Sequence, residues 1–229
     1  MTNRPVALVT GATRGIGRAI AVELSSTHRI LVGGRDAARA RELVAELDDA
    51  APFVCDLADE DAVAAACAGI GRLDVLVHSA GIGRSNDIGL ASRALWREVF
   101  ETNVFAVADL TRLLLPALEA ARGIVVAINS GAGFFSSPGG GVYAGSKFAL
   151  RALTDALREE MRGKVRVCSI HPGRTDTDMQ RELQAAMGNE HYNGSCYVSP
   201  GSVAAAVRLA VDTLDNATVE QLSIRPSVF

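Results

Sequence analysis

Val6-Ala-Leu-Val-Thr-Gly-Ala-Thr-Arg-Gly-Ile-Gly17 joins an apolar run to a glycine-rich turn. The run Val6–Val9 reads as a buried strand. Glycines at 11, 15 and 17 let the backbone turn sharply and come close to a diphosphate. A helix opening at Gly15 would then direct unpaired N–H groups and the positive end of its dipole at that group. The spacing is G-x3-G-x-G, not the G-x-G-x-x-G of the common dinucleotide fingerprint.

Outward from this turn, short β-branched runs alternate with longer Ala/Leu/Arg/Glu stretches. The runs are Val6–Val9, Ile30–Val32, Phe53–Val54, Val75–Val77, Ile124–Ile128, Val165–Ile170 and Leu222–Ile224. Helical patterns cover Gly15–Ser25, Ala37–Leu47, Glu60–Ala68, Ser92–Leu115, Tyr143–Arg162 and Ser202–Leu214. Continuous apolar strands without alternation are what a sheet buried on both faces carries. Strands that alternate with helices imply right-handed crossovers. The expected fold is therefore α/β, one Rossmann-type domain over 1–229, with a doubly wound parallel sheet of about seven strands flanked by helices. In such a sheet ligands bind beyond the carboxyl ends of the strands. The loops there are Thr10–Gly17, Gly33–Asp36, Cys55–Leu57, His78–Gly81, Asn129–Gly133 and His171–Thr177.

The 229 residues are 48% hydrophobic and 21% charged, which suits a folded core and argues against disorder. A net charge of −3 gives no basic footprint for nucleic acid or an anionic membrane. The four cysteines, Cys55, Cys67, Cys168 and Cys196, form no C-x-x-C pair and no Cys/His cluster with zinc spacing, so free thiols and no metal are expected. No stretch reaches the roughly 18 apolar residues of a membrane span, and the N-terminal run is too short for a signal peptide. A cytoplasmic protein is expected.

Tyr143 and Lys147 stand four apart at the start of a helical stretch and so share one face. A free tyrosine titrates near 10. Bringing it near neutrality takes roughly 4 kcal/mol, which one ammonium about 4 Å away supplies at an effective dielectric of about 20. Lys147 is thus expected to lower the Tyr143 pKa and make it a proton donor and acceptor. Ser130, thirteen residues earlier at a strand end, can hold an oxygen beside the phenol and stabilise charge there.

Thr10–Gly17 resembles the T-G-x3-G-I-G signature of the short-chain dehydrogenase/reductase family, and Ser130-x12-Tyr143-x3-Lys147 resembles that family's catalytic pattern. The resemblance implies one Rossmann-type domain across nearly the whole chain. It implies a catalytic set of Asn103, Ser130, Tyr143 and Lys147, with Asn103 helping to hold a water that links Lys147 to solvent. It implies a dinucleotide held by Gly11, Thr13, Arg14, Gly15, Ile16, Gly17, Arg35, Asp56, Leu57, Ser79, Ala80, Gly81, Asn103, Tyr143, Lys147, Pro172, Gly173, Thr175 and Thr177. Asp56 would lie near the adenine, or else cap the next helix. His78-Ser79 stands where the family usually has Asn-Asn; both can still bond backbone, and His78 is not expected to act as a base.

Cofactor choice is read at the end of the second strand. A carboxylate there selects NAD, and an arginine nearby accommodates the 2′-phosphate of NADP. Gly34 ends the strand, Arg35 follows, and Arg14 supplies a second guanidinium suited to phosphate. NADP(H) is expected in preference to NAD(H), although Asp36 could pair with Arg35 or reach a ribose.

The function expected is interconversion of a carbonyl and a secondary alcohol by hydride transfer. Two alternatives stay open: a catalytically silent NADP(H) sensor on the same fold, and an enzyme that isomerises or dehydrates without net oxidation. The substrate wall is expected at Gly131–Pro138, with Phe134 and Phe135, and under a lid around 174–197 that carries Met179, Met187 and Tyr192. Arg174 is a substrate-facing charge or a solvated loop residue. The resemblance also implies a homodimer or homotetramer built partly on the helix carrying Tyr143.

Overall fold

The computed structural model describes residues 4–227 except 187 and 215. Met187, counted above with the lid, lies outside the described residues. The chain runs β1 (Val6–Val9), α1 (Gly15–Ser25), β2 (Arg29–Gly34), α2 (Ala37–Glu46), β3 (Ala50–Val54), α3 (Glu60–Cys67), β4 (Val75–His78), α4 (Arg93–Phe100), a π turn (Glu101–Phe105), α5 (Ala106–Ala121), β5 (Ile124–Ile128), α6 (Gly141–Glu160), β6 (Arg166–Pro172), α7 (Asp178–Ala186), α8 (Pro200–Asp212) and β7 (Gln221–Ile224). The strands form one seven-stranded sheet in the order β3-β2-β1-β4-β5-β6-β7. Every neighbouring pair is parallel.

Alternate side chains of each central strand enter different cores, which explains the unbroken apolar runs. Ala7, Val9, Val75, Val77, Ile124 and Val126 pack under α1, α2 and α8, against Ile20, Leu24, Leu43, Val203 and Val207. Leu8, Leu76, Val125 and Val167 pack on the other face, against Val63 of α3, Leu110, Leu114 and Leu118 of α5, and Leu157 of α6.

Three stretches differ from the sequence expectation. β3 begins at Ala50, earlier than Phe53, and carries Pro52. A proline lacks an N–H for the ladder, and β3 is an edge strand, where that donor is dispensable. The helix expected over Ser92–Leu115 is three pieces, because the π turn interrupts it. The segment expected as a lid contains α7, and its two ends are joined by an isolated parallel bridge between Thr175 and Val198.

β1 and β4 lie side by side at the centre of the sheet, with β2 and β3 beyond one and β5, β6 and β7 beyond the other. The chain order reverses between them, and the cleft opens there, at the strand ends that carry the unusual residues.

Candidate active site

The cleft has two parts. The first is a cavity of about 440 Å³ beside α1, lined by Gly11, Thr13, Arg14, Gly15, Ile16, Gly17, Arg35, Asp56, Leu57, Ser79, Ala80, Gly81 and Thr177, among others. The second, about 360 Å³, holds Ser130 and Tyr143 together with Pro172, Gly173 and Thr175. Ile16, Arg84, Thr177 and Met179 line both, so the two are continuous.

The first cavity is built of backbone that glycine alone permits. Gly11 has φ of +63°, and a Cβ on Gly17 would stand 2.3 Å from the Gly11 carbonyl oxygen. α1 starts without a side-chain cap and without an acid in its first turn, so its leading N–H groups are left for an anion. Thr10 fixes the facing loop. Its hydroxyl donates to the Val77 carbonyl and accepts from the N–H groups of Ser79 and Ala80.

At the end of β2, Asp36 neither pairs with Arg35 nor stays free. Its carboxylate accepts from the N–H groups of Ala38 and Arg39 and caps α2. Arg35 has no ion-pair partner among the described residues, and Arg14 meets only the half-exposed Glu182 at 3.6 Å. Two guanidinium groups with no competing buried acid fit a 2′-phosphate. Asp56 is not the cap of α3. That role belongs to Asp59, which accepts from Ala62, while Asp56 closes a turn with the Ala58 N–H. The cradle, the uncapped helix start and the arginine pair together fit an NADP-type dinucleotide.

α6 carries Tyr143, Ser146 and Lys147, and the end of β5 carries Ser130. Ser130 and Tyr143 line the second cavity together, and Ser130 Oγ accepts from the Ala132 N–H. Lys147 is buried, with Nζ donating to the Ile128 carbonyl at 3.0 Å and lying 5.8 Å from the centre of the Tyr143 ring. Burial lowers the Lys147 pKa to about 8. Burial also raises the Tyr143 pKa, and only the neighbouring Ser130 hydroxyl opposes it. The depression of Tyr143 expected from Lys147 is therefore not what this site carries. The ammonium is turned to the β5 carbonyl, and desolvation dominates the phenol.

Asn103 sits in the π turn, fully buried, with its side chain committed to protein. Nδ2 donates to the Ile82 carbonyl and to Ser146 Oγ, and Oδ1 accepts the Ile82 N–H. It pins the strand-end loop of β4 against α6. Neither Asn103 nor Lys147 lines either cavity, but a Cβ on Gly81 would stand 3.2 Å from Asn103 Oδ1 and 3.9 Å from Lys147 Nζ.

His78 is buried, its pKa lowered to about 4, and so neutral. The Thr111 hydroxyl donates to the Val107 carbonyl, so it accepts from His78 Nε2–H at 2.9 Å. The histidine ties β4 to α5. His171 is a residue the motif reading passed over. Its Nδ1 lies 3.0 Å from the Ser130 carbonyl and must donate to it. Nε2 then accepts from Ser169 and Gln221. The ring packs on Phe134, 4.3 Å between centres. His171 thus holds Ser130 from behind, a placement that only the β5–β6 register reveals.

No helix among the described residues is long and apolar enough to cross a membrane. No cluster of three or more His, Cys, Asp or Glu among them is arranged to hold a metal ion.

A short chain dehydrogenase family model matches residues 5–188. The serine 3-dehydrogenase of Agrobacterium fabrum is 36% identical over 199 residues, covering 83% of this chain and 79% of that protein. A metagenomic short-chain oxidoreductase solved in complex with NADP is 33% identical, with a TM-score of 0.82 and 98% of each chain covered. The closed form of a serine dehydrogenase complexed with NADP+ superposes with a TM-score of 0.88 at 26% identity, covering 96% of this chain and 94% of that one. The chain belongs to the short-chain dehydrogenase/reductase family and is an oxidoreductase of that family acting on a small molecule.

Proposed function

We propose that the protein interconverts a carbonyl and a secondary alcohol with NADP(H), using Tyr143 as the acid and base. The observation that carries this reading is Ser130 and Tyr143 together in the wall of a cavity continuous with the glycine cradle. When bound, the dinucleotide supplies or accepts the hydride. Ser130 Oγ holds the substrate oxygen, and Tyr143 donates the proton to it in reduction or takes it in oxidation. Lys147, with a pKa near 8, stays mostly protonated at neutral pH, its ammonium held at the Ile128 carbonyl. Asn103 keeps the Ile82 backbone and α6 in register, which holds Gly81 clear for the nicotinamide side. Arg14 and Arg35 support NADP(H) over NAD(H), and relatives solved with NADP agree with that choice.

The segment 174–197 acts as a lid over the substrate. Phe105 and Phe148, exposed on the π turn and α6, suit a partner copy, so a homodimer or homotetramer is the assembly proposed. The location proposed is the cytoplasm.

The test is absorbance at 340 nm with NADPH and NADH in parallel, against ketones, diketones, aldehydes and quinones. NADPH loss that outpaces NADH and disappears in Tyr143→Phe supports reaction class, cofactor and acid/base together. Tight NADPH binding with no turnover of any compound would favour the sensor reading.

A further inference from the structure

We propose that the substrate carries a carboxylate and that Arg174 binds it. The inference rests on the carbonyl–alcohol reading and narrows its substrate class. The wall of the second cavity includes two guanidinium groups, Arg84 and Arg174, and no aspartate or glutamate. That sign is opposite to the net charge of −3, so it is a local arrangement.

The two arginines differ in what occupies them. Arg84 pairs with Glu98 at 3.0 Å. Arg174 has no side-chain partner among the described residues, because the nearby acids of its segment are engaged elsewhere. Asp176 accepts from Arg181 at 2.9 Å and from the Tyr192 hydroxyl at 2.8 Å. Asp178 meets Arg181 at 3.4 Å, and Glu182 meets Arg14 at 3.6 Å.

The backbone that carries Arg174 is fixed. The Arg174 carbonyl accepts the Val198 N–H, and the Asp176 N–H donates to the Val198 carbonyl, both at 2.9 Å. Gly173 and Thr175 on either side also line the cavity. In the same lining, the side-chain amide nitrogen of Gln180 is a buried donor with no acceptor among the described residues. An unpaired guanidinium on fixed backbone, in a wall without acids, is complementary to a carboxylate, which it can hold through two parallel hydrogen bonds.

The experiment compares oxo acids, with ketone and carboxylate one to four carbons apart, against their methyl esters in the NADPH assay. The acid should be preferred over its ester for at least one chain length. The acid-to-ester ratio of kcat/KM should fall at least tenfold in Arg174→Ala and recover in part in Arg174→Lys. Rising ionic strength should weaken the acid more than the ester. Esters turned over as well as acids, or a ratio unmoved in Arg174→Ala, would overturn the carboxylate site while leaving the carbonyl reading standing. Where neither series nor any neutral ketone turns over, that reading fails, and calorimetric titration of the oxo acids decides the site. Binding lost in Arg174→Ala retains it, and no binding to the wild-type protein removes it.

Discussion

The cavity beside α1 and the cavity beside Tyr143 share four lining residues and differ in material. The first is shaped by backbone: a turn with positive φ at Gly11 and Gly15, Gly17 packed on the Gly11 carbonyl, and a loop held by the Thr10 hydroxyl. The second is shaped by side chains standing on α6, α7 and the 134–140 loop. A backbone cradle can serve any ligand with a diphosphate, which is the same in every dinucleotide. A side-chain wall is free to change with the substrate. Rigidity and generality belong to one half of the cleft, and specificity to the other.

The sharpest way to break this division is Tyr143→Phe. It should lower kcat/KM by about 10³-fold or more while NADPH affinity, read by fluorescence titration, changes little. A parallel loss of NADPH binding would mean that the halves are not separable.

Two glycines test the material difference directly. Gly17→Ala should cost about 3 kcal/mol in urea unfolding, because its Cβ meets backbone at 2.3 Å and backbone cannot swing aside. Gly83→Ala meets only Met179 Sδ at 3.4 Å, and should stay within about 0.5 kcal/mol. Equal costs would refute the contrast.

Lys147 lies buried in α6 and lines neither half, and its burial has a sign. Its folded pKa of about 8 lies below the ordinary lysine value of about 10.5, so the native state binds fewer protons between those values. Native stability relative to Lys147→Met should therefore rise between pH 8 and 10.5, by roughly 3 kcal/mol at most. A flat or falling difference in urea midpoints would mean that the ammonium is well compensated where it lies. A more modest effect is expected at the cradle's rim. Arg35→Asp should reduce the NADPH-to-NADH preference by about 30-fold, with little change in the acid-to-ester ratio at Arg174.

The same division decides what could be read in the sequence. The turn at Thr10–Gly17 and the spacing of Ser130, Tyr143 and Lys147 are local, and neighbours in the chain are neighbours in space. The second wall draws on residues from 16 to 184 that meet only after the sheet forms. Arg84 was invisible for that reason, as was His171 behind Ser130. Asp36 and Asp56 show the converse. Their position in the chain suggested ligand contact or capping, and local turn geometry decided differently in each case.

The π turn at Glu101–Phe105 has a consequence for how this chain tolerates change in length. A π turn holds one residue more than the α-helical path it replaces. Removing that surplus residue would let the stretch close into the α-helical path, with α4 and α5 keeping their phase on either side. The Thr111–His78 contact would survive, and the Asn103 brace on the Ile82 backbone is the contact put at risk. The surplus residue is thus local: the helices tolerate its loss, and the loop after β4 feels it.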